Sequence, residues 1–206
     1  MIVVGLTGSI GTGKTTVSGI LKKKGISVIS SDDIVNELYK DKAVNKVGKF
    51  FSESIRNGRV DKNLLLEKLK ESPEKLEIIE KIIHPMVRIR EREVLRDFFR
   101  RGEKIVFFDT PLLFEKKKEF FFDKVIVVTC SFETQRKRVL SRKNYTEESF
   151  QFILSKQISE KEKISRADYV ISTEGSLDET EKKVSKMLTY VRKNTNSSNS
   201  NAQNHI

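Results

Sequence analysis

Short runs of apolar, often β-branched residues alternate with longer stretches of helical period along this chain. Five runs predict strands, at Ile2–Thr7, Ser27–Ile29, Ile105–Asp109, Lys124–Thr129 and Tyr169–Ile171. Several of them are apolar throughout, which is typical of parallel strands buried on both faces. Because helical stretches separate the strands, the pattern predicts right-handed βαβ units and a doubly wound α/β fold with a five-stranded parallel sheet.

Two helical stretches interrupt this alternation. Residues 34–101 are too many for one crossover helix, so they predict an inserted helical subdomain whose longest helix begins at Ser72-Pro73. Residues 132–165 predict a pair of helices. The spacing of Ser176 and Glu179 is that of a capping box, which predicts the start of the last helix.

These segments predict a single domain over residues 1–193. The core of this domain consists of residues 1–33, 102–131 and 166–193. The helical stretches 34–101 and 132–165 make up the rest of the domain. Residues 194–206 are polar and nearly free of apolar side chains, so we expect a disordered tail.

Composition narrows the class of protein. No apolar run in the 206 residues approaches the roughly 20 residues of a membrane span. The N-terminus lacks the basic lead-in of a signal peptide and Cys130 is the only cysteine, so we expect a cytoplasmic protein without an internal disulfide. The formal net charge of +11 indicates a polyanionic partner, either nucleic acid or a phosphorylated small molecule, or simply a lysine-rich surface.

The stretch GLTGSIGTGKTT, residues 5–16, matches the phosphate-binding pattern G-x-x-x-x-G-K-[ST] at every position. Glycines let successive backbone N–H groups point at phosphate oxygens, and the following helix adds a favourable dipole. Lys14 should reach the β- and γ-phosphates of ATP, and the Thr15 hydroxyl should bind Mg²⁺. The expected ATP-binding residues are Gly8, Gly11, Thr12, Gly13, Lys14, Thr15 and Thr16.

The strand Ile105–Asp109 has four apolar residues followed by a carboxylate, which is the Walker-B pattern. Open α/β sheets bind ligands at the carboxyl ends of their strands, so Asp109 should lie beside the phosphate loop. There it can hold Mg²⁺ directly or through water. Many strands end in an aspartate that binds no metal. The phosphate loop in the same sequence is what favours a Mg²⁺-binding role for Asp109.

Three uses of a bound nucleotide are open: hydrolysis, a timed switch, and transfer to another molecule. Motor ATPases often place a glutamate directly after the Walker-B aspartate, and here that position is Thr110. GTPases usually carry N-K-x-D, whereas Asn45-Lys46-Val47-Gly48 lacks the aspartate. The sequence therefore favours transfer.

Transfer requires a base for the acceptor hydroxyl. Asp32 and Asp33 directly follow the second strand, whose carboxyl end should face the γ-phosphate in this type of sheet. An aspartate before a helix can equally serve as its N-cap. Two adjacent carboxylates allow both tasks to be filled.

Transfer also requires positive charge around the moving phosphoryl group. Gln135, Arg138 and Arg142 have the spacing of one helix face, and arginine suits phosphate oxygens. Residues 132–165 thus look like the arginine-bearing lid of small kinases, with Arg138 and Arg142 as catalytic groups. A solvated basic helix would show the same pattern.

Taken together, these residues resemble the dephospho-coenzyme A kinase family over Ile2 to about Leu188. The order of the motifs is more specific than the phosphate loop alone. The motifs are GLTGSIGTGKTTV, GISVISSDDI, HPMVR at residues 84–88, DTPLLFE at 109–115, TQRKRVLSR at 134–142, Gln157 and RADYVI at 166–171.

The resemblance implies a reaction and several site residues. ATP would phosphorylate the ribose 3′-hydroxyl of dephospho-CoA, the last step of coenzyme A synthesis, and the inserted helices would bind the acceptor. The resemblance implies that the base is the second aspartate of the family's Asp-x-Asp motif, which corresponds to Asp32. The resemblance also moves His84 from a simple helix break to an acceptor-site role, with Arg88 as a phosphate contact.

Two positions depart from the family pattern. Ser30 replaces the first aspartate of the Asp-x-Asp motif. The family often has asparagine before a glycine near the adenine, where this chain has Thr173-Glu174-Gly175, so no adenine contacts are assigned there.

Other functions remain alternatives to this one. A nucleoside, nucleotide or shikimate kinase would share the phosphate loop and the lid, but it would not account for HPMVR and PLLFE together. A nucleic-acid-binding ATPase would use the basic charge, and a non-catalytic module would only bind ATP. We favour a monomeric kinase with ATP and dephospho-CoA as its small-molecule partners.

Overall fold

The computed structural model describes residues 1–70, 72–143 and 145–193. The predicted tail, residues 194–206, lies outside the described residues. The chain divides into two compact units. One comprises Ser30–Asp97, and the other comprises Met1–Ile29 together with the chain from Phe98 onward. The first of these begins and ends close to the predicted insert, residues 34–101.

Seven strands form two sheets in the part of the chain that the structure describes. The strands are β1 (Ile2–Thr7), β2 (Ser27–Ser30), β3 (Ile55–Arg56), β4 (Arg59–Val60), β5 (Ile105–Asp109), β6 (Lys124–Thr129) and β7 (Tyr169–Ser172). The larger sheet has the order β2-β5-β1-β6-β7, with β1 parallel to β5 and β6, and β6 parallel to β7. All five strands predicted for this sheet are confirmed, and β2 and β7 each end one residue later than predicted.

Both faces of the large sheet are buried, which explains why its strands show no alternation of polar and apolar residues. Ile126 and Val128 of β6 pack into one apolar cluster, whereas Val125 and Val127 pack into another. Successive side chains of a strand point to opposite faces. A strand covered on both sides must therefore be apolar at every position, and the predicted doubly wound α/β fold is confirmed.

Nine α-helices occur in the described residues. They are α1 (Lys14–Lys23), α2 (Ser31–Leu38), α3 (Val44–Gly48), α4 (Lys62–Leu69), α5 (Pro73–Arg100), α6 (Phe132–Leu140), α7 (Glu147–Ser155), α8 (Glu160–Ser165) and α9 (Leu177–Lys193). The capping box before α9 is confirmed: Ser176 N–H donates to Glu179 Oε2 at 2.8 Å, and Glu179 N–H donates to Ser176 Oγ at 3.2 Å.

Residues 132–165 form three short helices, so the predicted pair was wrong. Each helix begins after its own hydroxyl cap, and the caps are Ser131, Thr146 and Ser159. Each cap hydroxyl accepts a backbone N–H of the first turn, which satisfies a donor that has no partner within the helix. The caps are visible in the sequence, and they divide a stretch whose helical period looks continuous.

The unit Ser30–Asp97 is not entirely helical, contrary to expectation. It contains a small antiparallel hairpin in which β3 pairs with β4. Asn57 and Gly58 connect the strands with φ of 51° and 71°. An Asn-Gly turn with both φ values positive is the favoured connection of a two-residue hairpin. The Asn-Gly dipeptide was the signal that the helical interpretation of residues 34–101 overlooked.

The longest helix, α5, runs through Pro85 without ending. Its predicted start is confirmed, because Ser72 Oγ accepts Lys75 N–H at 3.4 Å. The helix break that His84-Pro85 offered as an alternative does not occur. Ile83 and Val87 are buried on either side of the proline. The continuous apolar face thus offsets the backbone hydrogen bond that proline removes. Within the described residues, no helix has the length and apolar character needed to cross a membrane.

Candidate phosphate-transfer site

The phosphate loop connects β1 to α1 and packs tightly against the sheet. A Cβ atom added to Gly8 would lie 2.5 Å from the carbonyl oxygen of Val128 in β6. Gly11 and Gly13 have φ of 80° and 89°, in the left-handed region that favours glycine. These three positions therefore require glycine, two for backbone conformation and one for close approach.

Lys14 and Asp109 lie in direct contact, through Nζ and Oδ1. Ser18 Oγ donates to the second carboxylate oxygen of Asp109 at 2.8 Å. The structure thus brings the lysine of the loop and the Walker-B aspartate together, as the sequence predicted. Ser18 was missed, although its position one helical turn after Lys14 places it on the same face of α1.

Arg138 is half-buried and its guanidinium is held in place. Nη1 donates to Thr173 Oγ1 at 2.8 Å, and Nη2 donates to the Thr173 carbonyl at 2.9 Å. Thr173 Oγ1 in turn donates to the carbonyl oxygen of Thr12 in the phosphate loop at 2.7 Å. Arg138 is therefore linked to the loop through one threonine, which the sequence gave no means of identifying.

Arg142 does not share a helix face with Arg138. Helix α6 ends at Leu140, and Arg142 lies in the following turn with its guanidinium 6.0 Å from the Tyr145 ring centroid. The expected spacing of one face was wrong at this position, because Ser141 already terminates the helix as its C-cap. Arg142 is exposed.

Two glutamines bind the backbone of one residue of the phosphate loop. Gln135 Nε2 donates to the Ile10 carbonyl at 2.6 Å, and Ile10 N–H donates to Gln157 Oε1 at 3.2 Å. Gln135 belongs to α6 and Gln157 precedes α8. The segment 132–165 is therefore anchored to the loop near both of its ends.

Cys130 directly follows β6 and lies near the loop, with Sγ 3.9 Å from the Gly11 carbonyl oxygen. Burial raises the pKa of the thiol to about 11, and the charge of Arg138 opposes this shift only in part. The thiol is therefore neutral at physiological pH and a poor nucleophile. This agrees with an inert role, although the side chain is only half-buried.

The residues expected at the acceptor all lie in the unit Ser30–Asp97. Asp32 and Asp33 are exposed in the first turn of α2. His84 and Arg88 are exposed on α5, four residues apart, so that they lie on one face. His84 Nε2 is 4.0 Å from Glu80 Oε1.

A hydrogen bond joins α5 to the start of α2. Ser31 Oγ donates to Glu91 Oε1 at 2.7 Å. Glu91 lies seven residues after His84, on the same face of α5, and Ser31 is the residue before Asp32. The contact therefore ties the helix that carries His84 and Arg88 to the turn that carries Asp32.

Comparisons with known proteins agree with this arrangement. A sequence model of the family described as dephospho-CoA kinase matches residues 2–179. This chain belongs to the dephospho-CoA kinase family.

Individual members of the family match nearly the whole chain. A dephospho-CoA kinase of Rhizobium meliloti is 40% identical over 192 residues, which are 93% of this chain and 99% of that protein. The solved dephospho-CoA kinase of Campylobacter jejuni is 25% identical with a TM-score of 0.69, covering 92% of this chain and 96% of its own. A solved protein of Thermus thermophilus is 29% identical with a TM-score of 0.76, and the match covers 94% of this chain and 97% of that protein.

The two residues that depart from the dephospho-CoA kinase pattern, Ser30 and Glu174, each form hydrogen bonds at the start of a helix. Ser30 is the N-cap of α2, and its Oγ accepts Asp33 N–H at 3.2 Å. The cap is therefore neither of the two aspartates, contrary to what the sequence suggested. Both carboxylates lie in the first turn, where the helix dipole favours negative charge.

Glu174, the second departure, binds the start of α6. Its carboxylate accepts the Ser131 N–H at 2.8 Å and also contacts the Thr134 hydroxyl. The Thr134 hydroxyl contributes most, and the Ser131 N–H next, to lowering the pKa of Glu174. Glu174 therefore remains an ionised partner of α6 at neutral pH.

The residues at the loop fit a magnesium ion. The Thr15 side chain is exposed in the first turn of α1, and Asp109 ends β5 beside Lys14. Mg²⁺ prefers oxygen ligands and is commonly bound by one or two protein groups together with substrate phosphates. A hydroxyl and a carboxylate next to a phosphate-binding loop are such a set.

Proposed function

We propose that this chain transfers the γ-phosphoryl group of ATP to the ribose 3′-hydroxyl of dephospho-CoA, forming coenzyme A and ADP. The observation that carries the proposal is the contact of Lys14 with Asp109 at the end of a glycine-constrained phosphate loop. It occurs in a chain that matches the dephospho-CoA kinase family from residue 2 to residue 179.

ATP binds along residues 8–16. Lys14 exchanges its contact with Asp109 for oxygens of the β- and γ-phosphates, which neutralises charge on the transferring group. Thr15 and Asp109 hold Mg²⁺, which supplies further neutralisation of phosphate charge. Ser18 keeps the Asp109 carboxylate oriented through its 2.8 Å hydrogen bond while the lysine moves.

Residues 132–165 act as the lid, but only part of the segment moves. Gln135 and Gln157 hold its two ends to Ile10 of the loop. Thr173 holds Arg138 as well, so closure is confined to the part between Arg138 and Gln157, which carries Arg142. Arg138 acts on the nucleotide from a fixed position next to Thr173, whereas Arg142 arrives when the lid closes.

The unit Ser30–Asp97 binds the acceptor. Asp32 accepts the proton of the attacking hydroxyl, and its side chain is exposed at the start of α2. His84 and Arg88 contact the acceptor from one face of α5, with Arg88 at a phosphate group. The hydrogen bond between Ser31 and Glu91 holds the start of α2 against α5.

ADP release measured with separate acceptors tests the proposal. Dephospho-CoA should give turnover far above that with adenosine, AMP, shikimate or water. Preferred turnover of shikimate or a nucleoside would replace the acceptor assignment. ATPase activity stimulated by a polynucleotide, with strong salt dependence, would instead favour the nucleic-acid ATPase.

A cytoplasmic location and a monomeric state complete the proposal. The location rests on the single cysteine of the sequence, because disulfides are common in proteins outside the cytoplasm. Light scattering of the purified protein measures the mass directly, and a dimeric mass would overturn the monomer.

A further inference from the structure

A buried charged cluster lies against the tip of the phosphate loop, on the side formed by α8. Its centre is Lys163, whose side chain is completely buried. Lys163 Nζ donates to Ser9 Oγ at 2.9 Å and lies 3.1 Å from Glu115 Oε1. Glu160, at the start of α8, completes the cluster by accepting the Ser9 hydroxyl at 2.8 Å.

These contacts determine the orientation of the Ser9 hydroxyl. An ammonium group only donates and a carboxylate only accepts. The Ser9 oxygen must therefore accept from Lys163, and its proton must point to Glu160. A hydroxyl with both roles filled on opposite sides has a single rotamer available. The backbone of Ser9, within the phosphate loop, is restrained accordingly.

The cluster also joins the loop to two other parts of the same unit. Glu115 Oε1 accepts the N–H of Ile158, so it holds the chain that leads into α8. Gln157, one residue earlier, binds the N–H of Ile10. Ser9 and Ile10 are thus held by side chains from one short segment, and Glu115 fixes that segment to the chain after β5.

The burial of Lys163 is costly without a compensating task. A charge removed from water is retained only where partners satisfy it. The ion pair with Glu115 would neutralise Lys163 without any contact to the phosphate loop. The lysine nevertheless also donates a hydrogen bond to Ser9 of that loop. The residues expected to act in catalysis make none of these contacts; they are Lys14, Asp32, Arg138 and Arg142.

We propose that Lys163 is a positioning residue for phosphoryl transfer, which holds the Ser9–Ile10 part of the phosphate loop through the Ser9 hydroxyl. The inference rests on the proposed function only in that the loop binds ATP. It does not depend on which acceptor is phosphorylated.

The alternative is that Lys163 only stabilises the fold. Titration with Mg·ATP in the absence of acceptor separates the two. A variant that is less stable but still mostly folded at the assay temperature keeps the wild-type Kd, because reversible unfolding raises the apparent Kd only by the reciprocal of the folded fraction. A variant with a displaced loop has a Kd raised well beyond that factor, which the circular dichroism signal supplies.

The test uses Lys163→Met, Ser9→Ala and the double variant, with Lys124→Met as the matched control. Lys124 also makes an ion pair, 3.0 Å from Asp168, but at the opposite end of β6 from Val128, which contacts the loop. Val191→Ala, on the buried face of α9, supplies a destabilised protein with an intact loop.

Lys163→Met and Ser9→Ala should each raise the Kd for Mg·ATP by at least about 10-fold, since displacing a binding loop by a fraction of an ångström weakens every phosphate contact. Because the lysine acts through the serine, the double variant should bind no more weakly than the weaker single variant. Lys124→Met and Val191→Ala should keep the wild-type Kd.

A wild-type Kd in both Lys163→Met and Ser9→Ala would overturn the proposal, as would a rise in Kd no larger than the reciprocal of the folded fraction. Independent effects that multiply in the double variant would show that Lys163 does not act through Ser9. If Lys163→Met does not fold, Ser9→Ala decides, because it keeps the Lys163–Glu115 pair. These titrations contain no acceptor, so they give the same result whether or not dephospho-CoA is phosphorylated. A failure of the proposed function is thus distinguishable from a failure of this inference.

Discussion

Gly8→Ala is the substitution whose effect the structure defines most directly. The added methyl group would lie 2.5 Å from the Val128 carbonyl oxygen and 2.7 Å from Thr12 Oγ1. The carbonyl belongs to a central strand of the sheet and cannot withdraw without breaking its pairing. The phosphate loop must therefore move away from β6.

The required movement follows from the distances. Ordinary contact begins at 3.4 Å, so the loop must shift by about 0.9 Å. A misplacement of about 1 Å in a catalytic site can reduce the rate by about 10²-fold. Overpacking of this kind also destabilises a protein by about 1–3 kcal/mol. For a chain of this size each kcal/mol lowers Tm by about 2–4 °C.

ADP release with saturating dephospho-CoA and varied ATP measures the effect, and Gly19→Ala is the matched control. Gly19 lies within α1, and a Cβ atom there would meet nothing within 4 Å. Since alanine favours helix over glycine, this control should keep full activity and gain up to about 1 kcal/mol of stability. Gly8→Ala should lose about 10²-fold in kcat/KM for ATP.

Wild-type kcat/KM for ATP in Gly8→Ala would refute the reasoning, because it would mean that the loop tolerates the shift or does not bind phosphate. An equal loss in Gly19→Ala would show that the assay reports general instability of α1 and not the geometry of the loop.

Three further outcomes are expected. Lys14→Ala should lower kcat by about 10²-fold or more with an unchanged circular dichroism spectrum; normal turnover would remove Lys14 from the site. Asp32→Asn should lose at least about 10²-fold in kcat with ATP affinity retained, and Asp33→Asn much less; the reverse order would make Asp33 the base. Burial raises the pKa of Cys130 from 9.0 to about 11, so its alkylation by iodoacetamide at pH 8 should be about 10²-fold slower than that of a free thiol. The alkylation rate should rise only as the pH approaches 11. A rate that levels off near pH 9 would contradict the effect of burial.

The sequence alone determined the strands of the large sheet, the phosphate loop and the start of the last helix. These features depend on residues that are close in the chain: the apolar run Lys124–Thr129, the spacing of Gly8 and Gly13, and the reciprocal hydrogen bonds at Ser176. Local geometry and period are sufficient to recognise them. The Asn57-Gly58 hairpin was equally local, and it was missed only because the surrounding stretch was interpreted as helical.

Only the tertiary structure decided the partners of the polar side chains around the loop. Arg138 and Thr173 are 35 residues apart, and Lys163 and Ser9 are 154 apart. A lysine in a polar helical stretch is normally solvated, and nothing in its neighbours along the chain indicates complete burial. Which charged side chain is removed from water depends on how β6, α8 and the loop pack together, and that arrangement is a property of the whole sheet.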